Sequence, residues 1–394
     1  MMGADPLTVL VGDALTQLRL LPAESVQCCV TSPPYWGLRD YASEGQLGLE
    51  KTPEEYVGRM VEIFREVRRV LRNDGTLWLN LGDSYSSGGR GSYDSTLISR
   101  TSGVQNNSAG NTRHTPSWAK PKDLIGIPWM VAFALRADGW WLRQDIIWSK
   151  PNPMPESVTD RCTKAHEYIF LLTKSARYFY DAEAIKEKGC DEPGTHRGGS
   201  TMKMVNGEMA GDRVAWHNHS GGIESLLATG FRNKRSVWTV TTQPYPEAHF
   251  ATYPPDLIKP CILAGTSARG CCSKCGAPHE RLSEFVGPDG RSEIRSQNSK
   301  GKESLMGDNM IDHGTRGSFN SGGAVLQRKD AGWQPTCQCA APIVPCTVLD
   351  PFGGSGTTGA VALELGRKAT LIELNPKYAE LIQQRCSTTM GLPF

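Results

Sequence analysis

Apolar residues along this chain fall into two rhythms. Leu7 to Val11 and Val26 to Val30 are short unbroken apolar runs, as buried strands require, and Thr76 to Leu81 is a third. Between them the spacing lengthens to that of helices. Ala14 to Leu21 carries it first, with Pro22 closing the segment. Tyr56, Met60, Ile63, Phe64, Val67 and Val70 carry it again in a helix running to about Leu71. That helix has a strong start in Thr52-Pro53-Glu54-Glu55: Thr52 as N-cap, proline in the first turn, glutamate at the third position. Asn73-Asp74-Gly75 is expected to stop it. A helix over about 124–137, a strand from Trp140 to Trp148 and another from Glu167 to Thr173 follow. At the far end, Thr347 to Leu349 is a strand, a helix runs to Leu365 before Gly366, Ala369 to Glu373 is a strand, and Pro376 opens a last helix. Such alternation predicts an α/β, Rossmann-like fold: a mostly parallel sheet with helices on both faces. Two β-α units cannot make such a sheet alone. The C-terminal pair is therefore expected to join the sheet begun at the N-terminus.

Three segments break the rhythm. Residues 84–120 are rich in Ser, Gly, Asn and Thr and read as a mobile loop. Residues 186–235 are irregular and basic, with Lys186, Lys188, Arg197, Arg213, Arg232, Lys234 and Arg235 among them. Residues 284–335 are a polar Gly/Ser-rich insert between two cysteine pairs. The organisation expected is a first half over 1–185, a basic region over 186–235 and a second half over 236–394 with a Cys-rich insert at 271–339. With 394 residues and 39% apolar content the chain can bury a large core, and no apolar run approaches a membrane span. The N-terminus lacks a charged-then-apolar signal pattern, so a cytoplasmic protein is expected. The net charge of +2 says nothing about nucleic acid by itself; any basic surface must be local.

Composition changes the picture most at the cysteines. Twelve would be unusual as disulfides in a reducing compartment. Cys272-x-x-Cys275 and Cys337-x-Cys339 suit a tetrahedral structural zinc site, and Gly276 resembles the turn of a zinc ribbon. Cys271 duplicates the first ligand position. Unpaired cytosolic cysteines are the other reading.

Two loops carry chemistry. The first, Thr31-Ser32-Pro33-Pro34-Tyr35-Trp36, leaves the second strand. The prolines stiffen the backbone and remove two N–H donors, leaving carbonyls to accept hydrogen bonds. Ser32 adds an acceptor and Tyr35 a flat face. A planar ring bearing an amino group fits, as does a proline turn with no ligand. The second loop, Asp350-Pro351-Phe352-Gly353-Gly354-Ser355-Gly356-Thr357-Thr358, joins a strand to a helix, and Glu373 ends the next strand. Glycines there let backbone approach a ligand at a helix N-terminus, and the acid suits paired ribose hydroxyls. Gly354, Gly356 and Gly359 also satisfy the dinucleotide fingerprint, so an NAD-dependent oxidoreductase competes on this loop alone. Both loops follow strands of one expected sheet and so share its carboxyl edge. Gly12-Asp13 leaves another strand there.

The pair of loops resembles the S-adenosylmethionine-dependent DNA amino-methyltransferases, in the circularly permuted beta group with the catalytic motif first and the cofactor motif last. The residues that carry the resemblance are TSPPYWGLRDY over 31–41 and VLDPFGGSGTT over 348–358. Weaker matches are GTLWLNLGD over 75–83, the segment 145–153, HEYIFLLTKS over 166–175 and HFATYPP over 249–255. The resemblance implies Ser32, Pro33, Pro34 and Tyr35 as the catalytic loop. It implies Asp350, Phe352, Gly354 and Gly356 at the cofactor, Glu373 on its ribose and Asp13 on its adenine. His249-Phe250 would begin the segment closing the methionine side. Gly353 departs from the pattern, where alanine is more usual, and is expected only to loosen the loop. Double-stranded DNA is the implied substrate, read by the basic stretch 186–235, and a restriction endonuclease acting on the same site is the implied partner. Serine at the head of the loop is commoner among cytosine-N4 enzymes of this family than among adenine-N6 enzymes, which favours cytosine, with adenine as alternative. A zinc-ribbon DNA-binding protein without catalysis would need the cysteines but not Glu373.

Overall fold

The computed structural model describes residues 5–38, 45–86, 118–188, 231–243, 252–286, 292–296 and 327–390. Its strands are β1 (Leu7–Val11), β2 (Val26–Thr31), β3 (Leu71–Leu81), β4 (Trp141–Ser149), β5 (His166–Thr173), β6 (Glu187–Lys188), β7 (Phe231–Arg232), β8 (Val237–Thr239), β9 (Cys271–Cys272), β10 (His279–Val286), β11 (Ser292–Ser296), β12 (Gln327–Pro335), β13 (Ile343–Val344), β14 (Thr347–Asp350) and β15 (Lys368–Glu373). The α-helices are α1 (Ala14–Leu20), α2 (Pro53–Val70), α3 (Ile127–Ala137), α4 (Pro255–Gly265), α5 (Thr357–Glu364) and α6 (Pro376–Met390). The chain divides into two compact units, one of residues 1–181, 235–280 and 335–394, the other of 182–234 and 281–334.

The first unit is built on an eight-stranded sheet in the order β1-β15-β14-β2-β3-β5-β4-β8. The C-terminal strands β14 and β15 lie between β1 and β2, all parallel. The two ends of the chain thus complete one sheet. Strand β5 runs antiparallel to both β3 and β4, and β8 pairs parallel to β4. Every residue of β2 is buried, as a central strand covered on both faces demands.

Helix α2 buries Tyr56, Met60, Ile63, Phe64, Val67 and Val70 along one stripe. Its Thr52 cap accepts from Glu55 N at 3.2 Å. The helix stops at Val70, and Asn73-Asp74-Gly75 lies inside β3 instead of ending the helix. Leu71 already pairs with Val26, and the register shifts between Val26 and Cys28, so these turn-prone residues are absorbed as an irregularity in the ladder. Helix α3 starts at Ile127, where Asp83 Oδ1 accepts from Gly126 N at 2.9 Å and Ile127 N at 3.0 Å. Among the described residues no helix is long and apolar enough to cross a membrane.

The second unit includes the two-stranded pair β6-β7. The stretch between the cysteine pairs contributes the three-stranded sheet β11-β10-β12, whose β10 and β11 run antiparallel. Of the segments singled out in the sequence, 87–117, 189–230 and 297–326 lie outside the described residues, as do His249 and Phe250.

Candidate active site

The two motif loops leave adjacent parallel strands, β2 and β14, and one carboxylate ties them together. Asp350, at the end of β14, is buried, and four donors fill it. Oδ1 accepts from Thr31 Oγ1 at 2.6 Å and Phe352 N at 3.0 Å. Oδ2 accepts from Tyr253 O–H at 3.0 Å and Thr358 Oγ1 at 2.5 Å. The Tyr253 and Thr358 hydroxyls lie side by side against that oxygen. A buried carboxylate with every lone-pair direction used holds structure together. Here it fixes the end of β2, the start of α5 and the approach to α4 in one knot. Burial raises the Asp350 pKa, and the four hydrogen bonds oppose that rise.

Along the Gly-rich loop, backbone amides point at the acid on the next strand. Glu373 Oε2 accepts from Gly354 N at 2.7 Å and Oε1 from Asn375 N at 2.9 Å. Its main-chain carbonyl accepts from Gly12 N at 2.9 Å. Burial raises the Glu373 pKa, yet each oxygen keeps a further lone pair for a ligand. Gly356 caps α5 with φ +79°, a left-handed conformation where a Cβ would also meet Ile382. A Cβ at Gly353 would stand 3.0 Å from Ile382 Cδ1. The alanine usual there would press on that side chain, so in this chain glycine goes with close packing against α6. Arg385 of α6 donates to Ser355 O at 3.2 Å, Ser355 Oγ at 3.0 Å and Thr357 Oγ1 at 2.9 Å, supporting the loop from beneath. Phe352 packs against the hydrophobic core from a partly buried position. Asp13 lies beside this edge, where its Oδ2 caps α1 by accepting from Thr16 N and Oγ1, each at 2.9 Å.

The Ser-Pro-Pro-Tyr loop is held differently, by side chains from distant strands. Tyr35 O–H reaches Glu167 Oε2 at 2.8 Å and Asn80 Oδ1 at 3.0 Å, and Ser32 Oγ donates to the Tyr35 oxygen at 3.3 Å. Lys150 pairs with Glu167 through Oε1. Tyr56 of α2 donates to the Pro34 carbonyl at 2.9 Å, and Trp36 Nε1 donates to Glu50 O at 3.0 Å. A Cβ at Gly82 would fall 2.5 Å from the Tyr35 ring, so only glycine lets that ring lie against β3. Burial, then the neighbouring Glu167 charge, pushes the Tyr35 pKa well up, keeping the phenol neutral.

The sequence reading did not single out Thr31, Asn80, Lys150, Glu167 or Tyr253 as site residues. All of them lie in segments carrying the family resemblance, so the signal existed, but no local pattern assigns them these partners. Cys272, Cys275, Cys337 and Cys339 form one cluster, their sulfurs all within 4.8 Å of one another. Cys271 is not among them; its thiol faces Pro345 O at 3.7 Å. Gly276 N donates to Cys272 O and Cys272 N to Ala277 O, each at 2.8 Å, which folds the first pair into a knuckle. Gln27 of β2 clasps this knuckle to the sheet, donating to Gly276 O at 3.1 Å while accepting from Thr347 N at 2.6 Å. Arg72 donates to Cys275 O.

A glycine-rich strand-to-helix loop with an acid at the next strand end, on a parallel sheet, defines a Rossmann-like enzyme that binds a nucleoside cofactor. Comparison with known proteins makes the class specific. The DNA methylase family pattern matches residues 26–272 and 346–384. The type II methyltransferase M.Cfr9I of Citrobacter freundii is 39% identical over 380 residues, covering 96% of this chain and 87% of its own. M.SmaI of Serratia marcescens is 37% identical over 377 residues, covering 96% and 89%. Among solved structures, the cytosine-N4-specific PvuII DNA methyltransferase aligns over 98% of this chain and 89% of its own, at 15% identity and a TM-score of 0.49. The chain belongs to the DNA methylase family, the S-adenosylmethionine-dependent enzymes that methylate exocyclic amino groups of DNA bases. This membership removes the NAD oxidoreductase and the non-catalytic zinc-ribbon readings.

Proposed function

We propose that this chain methylates the N4 amino group of cytosine in double-stranded DNA. The observation that carries the reading is Ser32 at the head of the catalytic loop, its hydroxyl turned toward Tyr35 at 3.3 Å. With its hydrogen given to Tyr35, the Ser32 oxygen has lone pairs left to accept from an amino group. A short hydroxyl lies further back than a carboxylate or amide would, so the ring must sit deeper, which suits a pyrimidine. Tyr56 already donates to the Pro34 carbonyl. The reading therefore gives the second amino hydrogen to the Pro33 carbonyl. Holding both hydrogens favours a pyramidal nitrogen with its lone pair aimed outward, and the Tyr35 ring fixes the base plane after the base leaves the helix.

S-adenosylmethionine supplies an electrophilic methyl group on a sulfonium. The donor set fits it: Glu373 can accept ribose hydroxyls, and the amides of the Gly-rich loop stand beside it. Phe250 and Asp13 are the residues proposed for its methionine side and its adenine. Most of the rate then comes from alignment and local electrostatics, with no covalent intermediate.

The basic stretch 186–235 is proposed to read the DNA sequence. Within its described part, Arg232 is paired with Glu187 at 2.9 Å, so part of its charge is already answered. The four-cysteine cluster is proposed to hold one structural zinc ion. A tetrahedral site with Zn–S of about 2.3 Å needs sulfurs about 3.8 Å apart, and a cluster already within 4.8 Å meets that with small adjustment. A restriction endonuclease acting on the same site is the proposed partner.

The test of the base is direct. Methylated DNA is digested to nucleosides and the product identified by mass, with N4-methylcytidine expected. N6-methyladenosine as sole product would overturn the cytosine assignment and leave the family and cofactor standing.

A further inference from the structure

We propose that Glu167 is the terminal proton acceptor of the transfer, reached from the substrate amine through Ser32 and Tyr35. The proposal rests on amino-methyltransferase activity and not on which base is methylated. Methylating an amino nitrogen leaves it cationic, and one of its protons must depart. The structure offers a hydrogen-bonded path of fixed polarity for it.

The polarity follows from counting hydrogens. The Tyr35 phenol has one proton and two acceptors in reach, Glu167 Oε2 at 2.8 Å and Asn80 Oδ1 at 3.0 Å. An ionised carboxylate is the stronger acceptor and is also the nearer. Asn80 cannot turn to compete, because its amide hydrogens go to Tyr168 O at 3.0 Å and Glu167 Oε2 at 3.3 Å. With its proton on Glu167, the Tyr35 oxygen accepts from Ser32 Oγ. Ser32 in turn has only lone pairs left for the amine. Lys150 holds the other carboxylate oxygen in an ion pair. Burial keeps Tyr35 a neutral relay rather than a phenolate.

The step balances. The amine lone pair forms the new N–C bond to the methyl group as the C–S bond breaks toward sulfur. The N–H bond then breaks with its electrons staying on nitrogen, and the proton goes to Ser32 Oγ. The Ser32 proton passes to Tyr35, and the Tyr35 proton to Glu167 Oε2. The Glu167 side chain is 17% exposed, enough to return the proton to water afterwards. An aryl ammonium is a far stronger acid than a carboxylic acid, so the transfer runs downhill.

The charged and titratable groups around Glu167 are Lys150 beyond β4, Lys164 before β5, Asp83 beyond β3, Glu156, and the phenols of Tyr35 and Tyr56. Lys164 donates to Asp83 O at 3.1 Å and does not hydrogen-bond the relay.

The experiment measures single-turnover methylation with S-adenosylmethionine and DNA pre-bound, across pH, for wild type, Glu167→Gln, Tyr35→Phe and the double variant. Glu167→Gln is expected to slow the chemical step on the order of 10²-fold with cofactor and DNA affinity unchanged. The pH dependence of the wild-type rate should change in that variant. Tyr35→Phe leaves the Lys150–Glu167 pair intact and should slow the step similarly, so it carries the test if Glu167→Gln melts early. The double variant should be no slower than the slower single one, because both cut one path. A Tyr35→Phe rate within about twofold of wild type would overturn the relay. So would a double variant whose defect is the product of the single ones. Wild type that binds cofactor and DNA but transfers no methyl group would count against the functional reading itself.

Discussion

The two loops at the carboxyl edge of the sheet are built on opposite plans. The Gly-rich loop is held mostly from nearby: Gly354 and Asn375 amides on Glu373, and Phe352 and Thr358 on Asp350, all within a single β-α-β unit, with Tyr253 and Arg385 added from outside it. The Ser-Pro-Pro-Tyr loop is held from far away, by Asn80 on β3 and Glu167 on β5, with Lys150 beyond β4 pairing to Glu167. Two buried contacts, Thr31 to Asp350 and Thr358 to Val30 O, join the plans. A ligand loop closed within one unit can be carried as a sequence motif. A loop whose polar support comes from three other strands is only as good as the register of the sheet.

This contrast can be broken most severely at Asp350. Asp350→Ala leaves donors on Thr31, Thr358, Tyr253 and Phe352 buried without their acceptor and should cost about 3–5 kcal/mol, disordering both loops together. Denaturant unfolding measures it; a loss below about 1 kcal/mol would mean the loops are independent. The next largest effect is expected at the cysteines. Elemental analysis should show about one zinc per chain. Its removal by a strong chelator should speed amide exchange over 271–280 and 336–344, because the metal would hold the knuckle that Gln27 and Arg72 attach to the sheet. Metal-free protein with unchanged exchange would reduce the cluster to bystander thiols.

Smaller effects separate the loops. Glu373→Gln should weaken S-adenosylmethionine binding by about 1.5–3 kcal/mol in calorimetry, the worth of hydrogen bonds to a charged group, with the catalytic loop untouched. Gly82→Ala should do the reverse, displacing the Tyr35 ring and lowering turnover while cofactor affinity holds. Neutralising Arg232, Lys234 and Arg235 together is expected to be mildest. It should weaken DNA binding and flatten its salt dependence, with less than three phosphate contacts' worth of slope because Arg232 already pairs with Glu187.

The same contrast explains what could be read in advance. The β-α alternation, the two loops and the four clustered cysteines are local patterns, and each stands in the structure where its residues implied. The joining of the chain's two ends in one sheet followed from an argument about coverage: two β-α units alone expose too much apolar surface. The support of Tyr35 was not legible. It depends on the antiparallel pairing that sets Asn80 opposite Ile169 and Trp148 opposite Glu167, and a one-residue slip would turn those side chains to the other face. Nor was it legible that Asn73-Asp74-Gly75 would enter β3, because Leu71 gains a partner in Val26 that local turn preference does not reveal. The choice of Cys272-x-x-Cys275 over the adjacent Cys271 was legible from spacing: Cys272 joins the cluster, while Cys271 faces Pro345 O.

If one loop binds the cofactor and the other prepares the amine, the two tasks must come apart in a single variant. The measurement is single-turnover methyl transfer by Ser32→Ala at saturating S-adenosylmethionine, with cofactor affinity measured on the same preparation. The account expects the rate to fall on the order of 10²-fold while affinity stays at the wild-type value, because only the acceptor for the amino hydrogen has gone. An undiminished rate, or a rate that falls only as far as cofactor affinity falls, would contradict it.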